Sequence, residues 1–141
     1  MMVKRVAGAL GAELQAVNLG DGLDAELAGT LRALLNKHEV LFFRDQNIEP
    51  AAQKALAEIF GPLQTHPAYN TVGDLPEVMI LESTRENPSK IEMWHSDMTF
   101  RQHPPSVTVL RGITIPEVGG DTLFASMTAA YEALSPGMQQ Y

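Results

Sequence analysis

The triplet His95-Ser96-Asp97, entered from Trp94, holds two side chains able to bind a metal ion. In an extended chain, residues i and i+2 project to the same face. An imidazole nitrogen and a carboxylate oxygen then converge on one point. Two histidines and one carboxylate on one face of an octahedron form the facial triad of non-haem Fe(II) oxygenases, which leaves positions open for cosubstrate, oxygen and water. The triplet supplies only part of such a set, and the same spacing suits a surface histidine paired with a nearby aspartate. Spacing alone leaves both readings open. Cysteine-based chemistry is excluded more firmly. The chain has no cysteine, so disulfides, CxxC motifs and thiolate zinc sites are all ruled out.

The elements that must position the triplet can be read from pattern. Val3 to Val17 is β-like, with Gly8 and Gly11 as turn points. Asp24 can cap a helix running to about His38, with Leu27, Leu31, Leu34 and Leu35 on one face and Lys37 and His38 suiting its C-terminal dipole. Val40-Leu41-Phe42-Phe43 reads as a buried strand. Pro50 opens a second helix through Phe60, stopped by Gly61-Pro62. Residues 64–76 are turn-rich, Val78 to Leu81 is a short strand, and Glu82 to Lys90 an exposed loop. Ser106 to Ile115 is rich in β-branched residues and is expected to be a strand, as is Leu123 to Ala125. Ser126 caps a last helix through Leu134, stopped by Ser135-Pro136-Gly137. Helices early and strands late suggest an α+β fold.

Composition narrows the partners. With 10 basic and 17 acidic residues in 141, the net charge is −7 and the pI about 5.0. That argues against a nucleic-acid binder or a basic membrane-surface protein. No apolar run approaches a membrane span, and no stretch of signal-peptide length follows Met1-Met2-Val3-Lys4-Arg5. The expectation is a soluble, cytoplasmic domain with no nucleic-acid and no membrane partner.

Several segments, in order, resemble the taurine dioxygenase family of Fe(II)- and 2-oxoglutarate-dependent dioxygenases. They are His38-Glu39-Val40-Leu41-Phe42-Phe43-Arg44-Asp45-Gln46, Phe60-Gly61-Pro62-Leu63, His66-Pro67-Ala68-Tyr69, Trp94-His95-Ser96-Asp97-Met98-Thr99-Phe100, Pro104-Pro105, Gly119-Gly120-Asp121-Thr122-Leu123 and Ala129-Ala130-Tyr131-Glu132-Ala133-Leu134. The WHxDxTF and GGDTL pair is the most specific part, and the metal reading of the triplet now prevails.

The resemblance implies Fe(II) with 2-oxoglutarate and O2 as cosubstrates. It makes His95 and Asp97 the first two iron ligands. Thr122 matches the threonine whose hydroxyl binds a carboxylate of 2-oxoglutarate; without the resemblance it reads as an ordinary strand threonine after a Gly-Gly turn. His66 and Tyr69 match positions that bind a sulfonate-bearing substrate, although His66 equally reads as a loop histidine beside Pro67. Phe100 matches an aromatic lining the same pocket, or is core. Trp94 is expected to pack in support of the site, and His38 and His103 to be structural or surface residues.

The implied fold is a double-stranded β-helix, or jelly roll, with flanking helices, incomplete in this chain. Residues 1–141 would be the N-terminal part of a single taurine-dioxygenase-like catalytic domain. The distal iron histidine and the 2-oxoglutarate-binding arginine are expected beyond Tyr141, and the chain alone is expected to be inactive. The implied reaction hydroxylates the carbon beside a sulfonate or sulfate, releasing an aldehyde, sulfite or sulfate, succinate and CO2. The substrate is a small anionic organic molecule, and the full-length protein is expected to be a homo-oligomer. One departure bears on the substrate. Where taurine dioxygenase has an asparagine contacting the substrate amine, this chain has Ile91, within Ser89-Lys90-Ile91-Glu92-Met93. An isoleucine makes no hydrogen bond. Another sulfonate, an alkyl sulfate ester, or the same iron chemistry on an aryloxyalkanoate or other small organic acid fits as well as taurine. A catalytically incomplete chain serving only folding or assembly is the non-enzymatic alternative.

Overall fold

A computed structural model describes residues 1–89, 91 and 93–141. Lys90 and Glu92, which belong to the expected loop and to the stretch before the ligand motif, lie outside the described residues. Two compact units emerge: Met1–Asn47 with Gly112–Tyr141, and Ile48–Arg111.

In the first unit, β1 (Met2–Arg5) pairs antiparallel with β2 (Ala12–Gln15), and β2 pairs parallel with β3 (Leu41–Phe42). Burial alternates along β2, with Ala12 and Leu14 inward, as a strand with one covered face requires. Gly11 enters β2 at a φ of 92°, where a Cβ would stand 3.3 Å from the Phe42 ring. That positive φ and close approach explain glycine at this position.

Helix α1 (Ala25–His38) starts at Asp24, whose side chain accepts from the Leu27 N–H at 2.7 Å. Its buried face carries Ala28 and Leu31, and Leu31 is fully buried. The helix ends at Glu39, which takes a φ of 63° while its N–H donates to the Leu35 carbonyl. The Gln46 side chain accepts from the Leu19 N–H and donates to the Val17 carbonyl, fastening the chain after β3 to the one after β2.

Later residues complete this unit. Phe124 meets Phe42 edge to face at 6.0 Å. Ser126 caps α3 (Met127–Glu132) and donates its hydroxyl to Glu39 at 3.0 Å. The tripeptide Ser135-Pro136-Gly137 was expected only to stop a helix. The preceding helix does end before it, at Glu132, and the tripeptide also starts a short one, α4 (Pro136–Gln139), with Ser135 as cap and Pro136 in the first turn. Both outcomes use the same residue preferences, since serine caps and proline suits a first helical position.

The second unit contains α2 (Pro50–Glu58) and a hairpin of β4 (Thr71–Val72) and β5 (Leu75–Met79). Pro50 sits in the first turn of α2, as expected. The turn-rich stretch is itself half hairpin: Gly73 turns at a φ of 51° and a register shift falls at Thr71/Val72. The strand expected at Val78 to Leu81 thus begins earlier, at Leu75, and ends at Met79. Leu56 and Val78 are the buried apolar residues of this unit among those described, and Lys54 reaches Glu77 at 3.2 Å to tie α2 to β5.

Two expected strands do not form. Residues 106–115 and 123–125 carry no ladder. A strand needs a paired neighbour as well as β-branched residues, and among the described residues none runs beside these stretches. The β-like start forms strands as expected, in β1 and β2, so the described strands open the chain rather than gathering late. No helix among the described residues is long and apolar enough to cross a membrane.

Candidate metal and substrate site

The WHSD segment leads into a turn over residues 97–100, within the second unit. Met98 takes a φ of 52° and its carbonyl accepts from the Arg101 N–H. A left-handed conformation is uncommon for a side chain of this kind, and here it closes the turn immediately after Asp97.

His95 and Asp97 meet as the i, i+2 spacing requires: His95 Nε2 stands 3.2 Å from Asp97 Oδ1, with both side chains about half exposed. The outer atom of each is fixed. His95 Nδ1–H donates to the Met93 carbonyl at 2.8 Å, and the Thr108 hydroxyl donates to Asp97 Oδ2 at 2.7 Å. The Met93 carbonyl first, and the Asp97 carboxylate after it, raise the His95 pKa above its ordinary value.

This arrangement fits a metal ion. Anchoring Nδ1 to a carbonyl fixes the tautomer in which Nε2 carries the lone pair, the usual arrangement around a ligating histidine. Nε2 and Oδ1 therefore face each other as two donors to one cation. Two ligands are fewer than a triad. Among the described residues no three His, Cys, Asp or Glu side chains are gathered where they could hold an ion.

The pair lines a cavity of about 730 Å³. The same cavity holds His66, Tyr69 and Phe100. The His66 ring lies 4.8 Å from Tyr69, tilted, and 5.9 Å from Phe100, edge to face. The Ala68 N–H donates to His66 Nδ1 at 3.1 Å. Aromatic contacts and a backbone donor hold the His66 ring. Ile91, Met79, Leu81 and Met93 give the cavity an apolar wall.

His103 lines the same cavity. Thr122 belongs to the other unit, where it is exposed between the Gly119-Gly120 turn and α3. Trp94, expected to pack beside the pair, is 69% exposed. His103 is exposed, and its carbonyl accepts from Gln64. The His38 carbonyl accepts from the Gly11 and Val40 N–H groups at the end of α1, a structural role. Pattern reading missed the Thr108 hydroxyl on Asp97, since no local signal links a loop threonine to a carboxylate eleven residues before it.

The chain matches the family model described as taurine catabolism dioxygenase TauD, TfdA family over residues 3–141, and it belongs to that family. It is 32% identical over 142 residues to an alkylsulfatase of Acinetobacter baylyi, which covers 100% of this chain and 44% of that relative. It is 32% identical over 139 residues to an alpha-ketoglutarate-dependent sulfate ester dioxygenase of Pseudomonas putida, covering 98% of this chain and 46% of that one. A solved taurine dioxygenase from Burkholderia xenovorans matches the fold with a TM-score of 0.83 at 34% identity, covering 99% of this chain and 49% of that one. The chain spans about half the length of the curated relatives it matches.

Proposed function

We propose that this chain is the N-terminal part of a single catalytic domain of an Fe(II)- and 2-oxoglutarate-dependent dioxygenase. Its substrate is a small sulfonate or sulfate ester. The observation that carries the proposal is the His95–Asp97 pair, anchored on both outer atoms and lining one cavity with the His66–Tyr69–Phe100 cluster. Family membership and the likeness to a taurine dioxygenase support it, and they also support a jelly roll as the complete fold.

In this reading His95 Nε2 and Asp97 Oδ1 hold the iron. Bound there, Fe(II) supplies the oxidising chemistry, in which O2 decarboxylates 2-oxoglutarate to succinate and CO2 while a substrate carbon is hydroxylated. The protein's own groups bind and orient. Thr122 donates its hydroxyl to a carboxylate of 2-oxoglutarate, an assignment carried by the family match alone. His66 donates from Nε2 to the anionic head of the substrate, and Tyr69 and Phe100 hold the imidazole in place. The wall of Ile91, Met79, Leu81 and Met93 takes the carbon chain, and Ile91, where taurine dioxygenase has an asparagine, makes no hydrogen bond to an amine. That favours alkyl sulfonates and sulfate esters over taurine, as do the relatives named for alkyl sulfate and sulfate ester chemistry. After hydroxylation beside the head group, the product collapses to an aldehyde and sulfite or sulfate.

The test is succinate release by the full-length protein with Fe(II), 2-oxoglutarate and O2, offered taurine, an alkyl sulfonate, an alkyl sulfate and phenoxyacetate in turn. Succinate formed together with sulfite or sulfate from the alkyl substrates is the expected result. Turnover of phenoxyacetate alone would remove the substrate assignment, and no turnover of any would remove the function.

A further inference from the structure

We infer that Thr108 is a positioning residue for the metal site, holding the Asp97 carboxylate in its ligating orientation. The inference rests on the reading of His95 and Asp97 as iron ligands. A carboxylate has two equivalent oxygens and a rotatable bond, so an unsupported aspartate samples orientations in which neither oxygen faces its partner ligand. Thr108 removes that freedom. Its hydroxyl donates to Oδ2 at 2.7 Å, while Oδ1 of the same carboxylate faces His95 Nε2 at 3.2 Å. One oxygen is thereby assigned to the protein and the other left for the ion. A hydrogen bond from a neutral hydroxyl to an ionised carboxylate is of the stronger, charge-assisted kind.

The threonine is itself held. Its neighbour Val109 offers its carbonyl to the Gln53 side chain, which donates from α2 at 3.2 Å. Two residues further on, the Arg111 guanidinium donates to the Ile48 carbonyl just before α2 begins. The stretch 106–111, which forms no ladder, is thus fastened to α2 by side-chain to backbone bonds on both sides of Leu110. The orientation of Asp97 is referred through Thr108 to a helix rather than to a loop. Supporting bonds of this type set the geometry and basicity of metal ligands. His95 has the matching support in the Met93 carbonyl, so each ligand of the pair has one fixed outer atom.

The test uses the full-length protein and compares wild type with Thr108→Val, Thr108→Ala and Thr108→Ser. Mn(II) affinity is measured anaerobically, and the visible d–d spectrum is recorded with Co(II) in place of iron. Loss of the hydroxyl in Thr108→Val should weaken Mn(II) binding by roughly 10- to 100-fold, the usual effect of removing an outer-shell partner, and should alter the Co(II) spectrum. Thr108→Ser keeps the hydroxyl and should restore both. Should Thr108→Val fail to fold, Thr108→Ala removes the hydroxyl without added bulk and carries the same expectation. Unchanged affinity and spectrum in a folded variant lacking the hydroxyl would overturn the inference while leaving the metal reading intact. A serine variant as weak as valine would overturn it too, since that outcome assigns the loss to packing of the methyl. Failure of the wild-type protein to bind Mn(II) would overturn both the inference and the reading beneath it.

Discussion

Replacing His66 by alanine should weaken binding of an anionic substrate, whereas replacing it by glutamine should largely preserve it. The Ala68 N–H donates to Nδ1 at 3.1 Å, so Nδ1 carries the lone pair and the ring proton sits on Nε2. That Nε2–H is the donor left for a ligand, on a ring held 4.8 Å from Tyr69 and 5.9 Å from Phe100. A hydrogen bond to a charged acceptor is worth ~1.5–3 kcal/mol. His66 is only half-buried, so the lower part of that range applies, about 1.5–2 kcal/mol, or roughly 10- to 30-fold in KM. Glutamine places an amide N–H the same number of bonds from the backbone as Nε2. Asparagine places one at the position of Nδ1, which already has its partner, and should behave like alanine. The assay is the initial rate of succinate release by the full-length protein against sulfonate or sulfate ester concentration, with Fe(II) and 2-oxoglutarate saturating. An alanine variant with wild-type KM would refute the reasoning. So would an asparagine variant that binds better than the glutamine one.

Other consequences concern the scaffold. Leu31 is fully buried, and Leu31→Ala should cost ~2.7–5 kcal/mol through lost burial and the cavity left behind, read as a lower urea midpoint with unchanged slope. Asp24→Ala removes the bond to the Leu27 N–H and should cost ~0.5–2 kcal/mol, read from thermal unfolding followed by helix ellipticity. The Glu77 carboxyl is held below the ordinary carboxylate range, first by its own backbone N–H and then by the Lys54 ammonium. Its stabilising effect is therefore complete above the ordinary value of 4.5 and is lost as pH falls through the lower folded value. The stability gap between wild type and Glu77→Gln should be constant near neutrality and close on acidification. A gap that does not narrow on acidification contradicts this.

The parts of the fold legible in the sequence are those specified locally. The start of α1 follows from one capping aspartate and a leucine period, and its observed bounds agree with the expected ones. The start of α2 follows from Pro50 in the same way. Signals that need a partner misled. The β-branched run over 106–115 has strand composition, yet Ile113 stands 72% exposed and the stretch has no ladder. The Ser135-Pro136 pair follows the end of one helix and begins another, and only the structure shows the second. The candidate site divides along the same line. The meeting of His95 and Asp97 is legible because alternate residues of an extended chain share a face. The hydrogen bond from Thr108 and the tautomer of His66 are not, since each depends on where a loop folds back. The role of Thr122 came from resemblance and still rests on it.

The most direct test of the central claim is an anaerobic Fe(II) titration of the full-length protein and of its His95→Ala and Asp97→Ala variants. If the two side chains are ligands to one ion, each substitution abolishes Fe(II) binding while the fold survives, because both side chains are half exposed and carry little of the core. Fe(II) affinity unchanged in either variant would contradict the account.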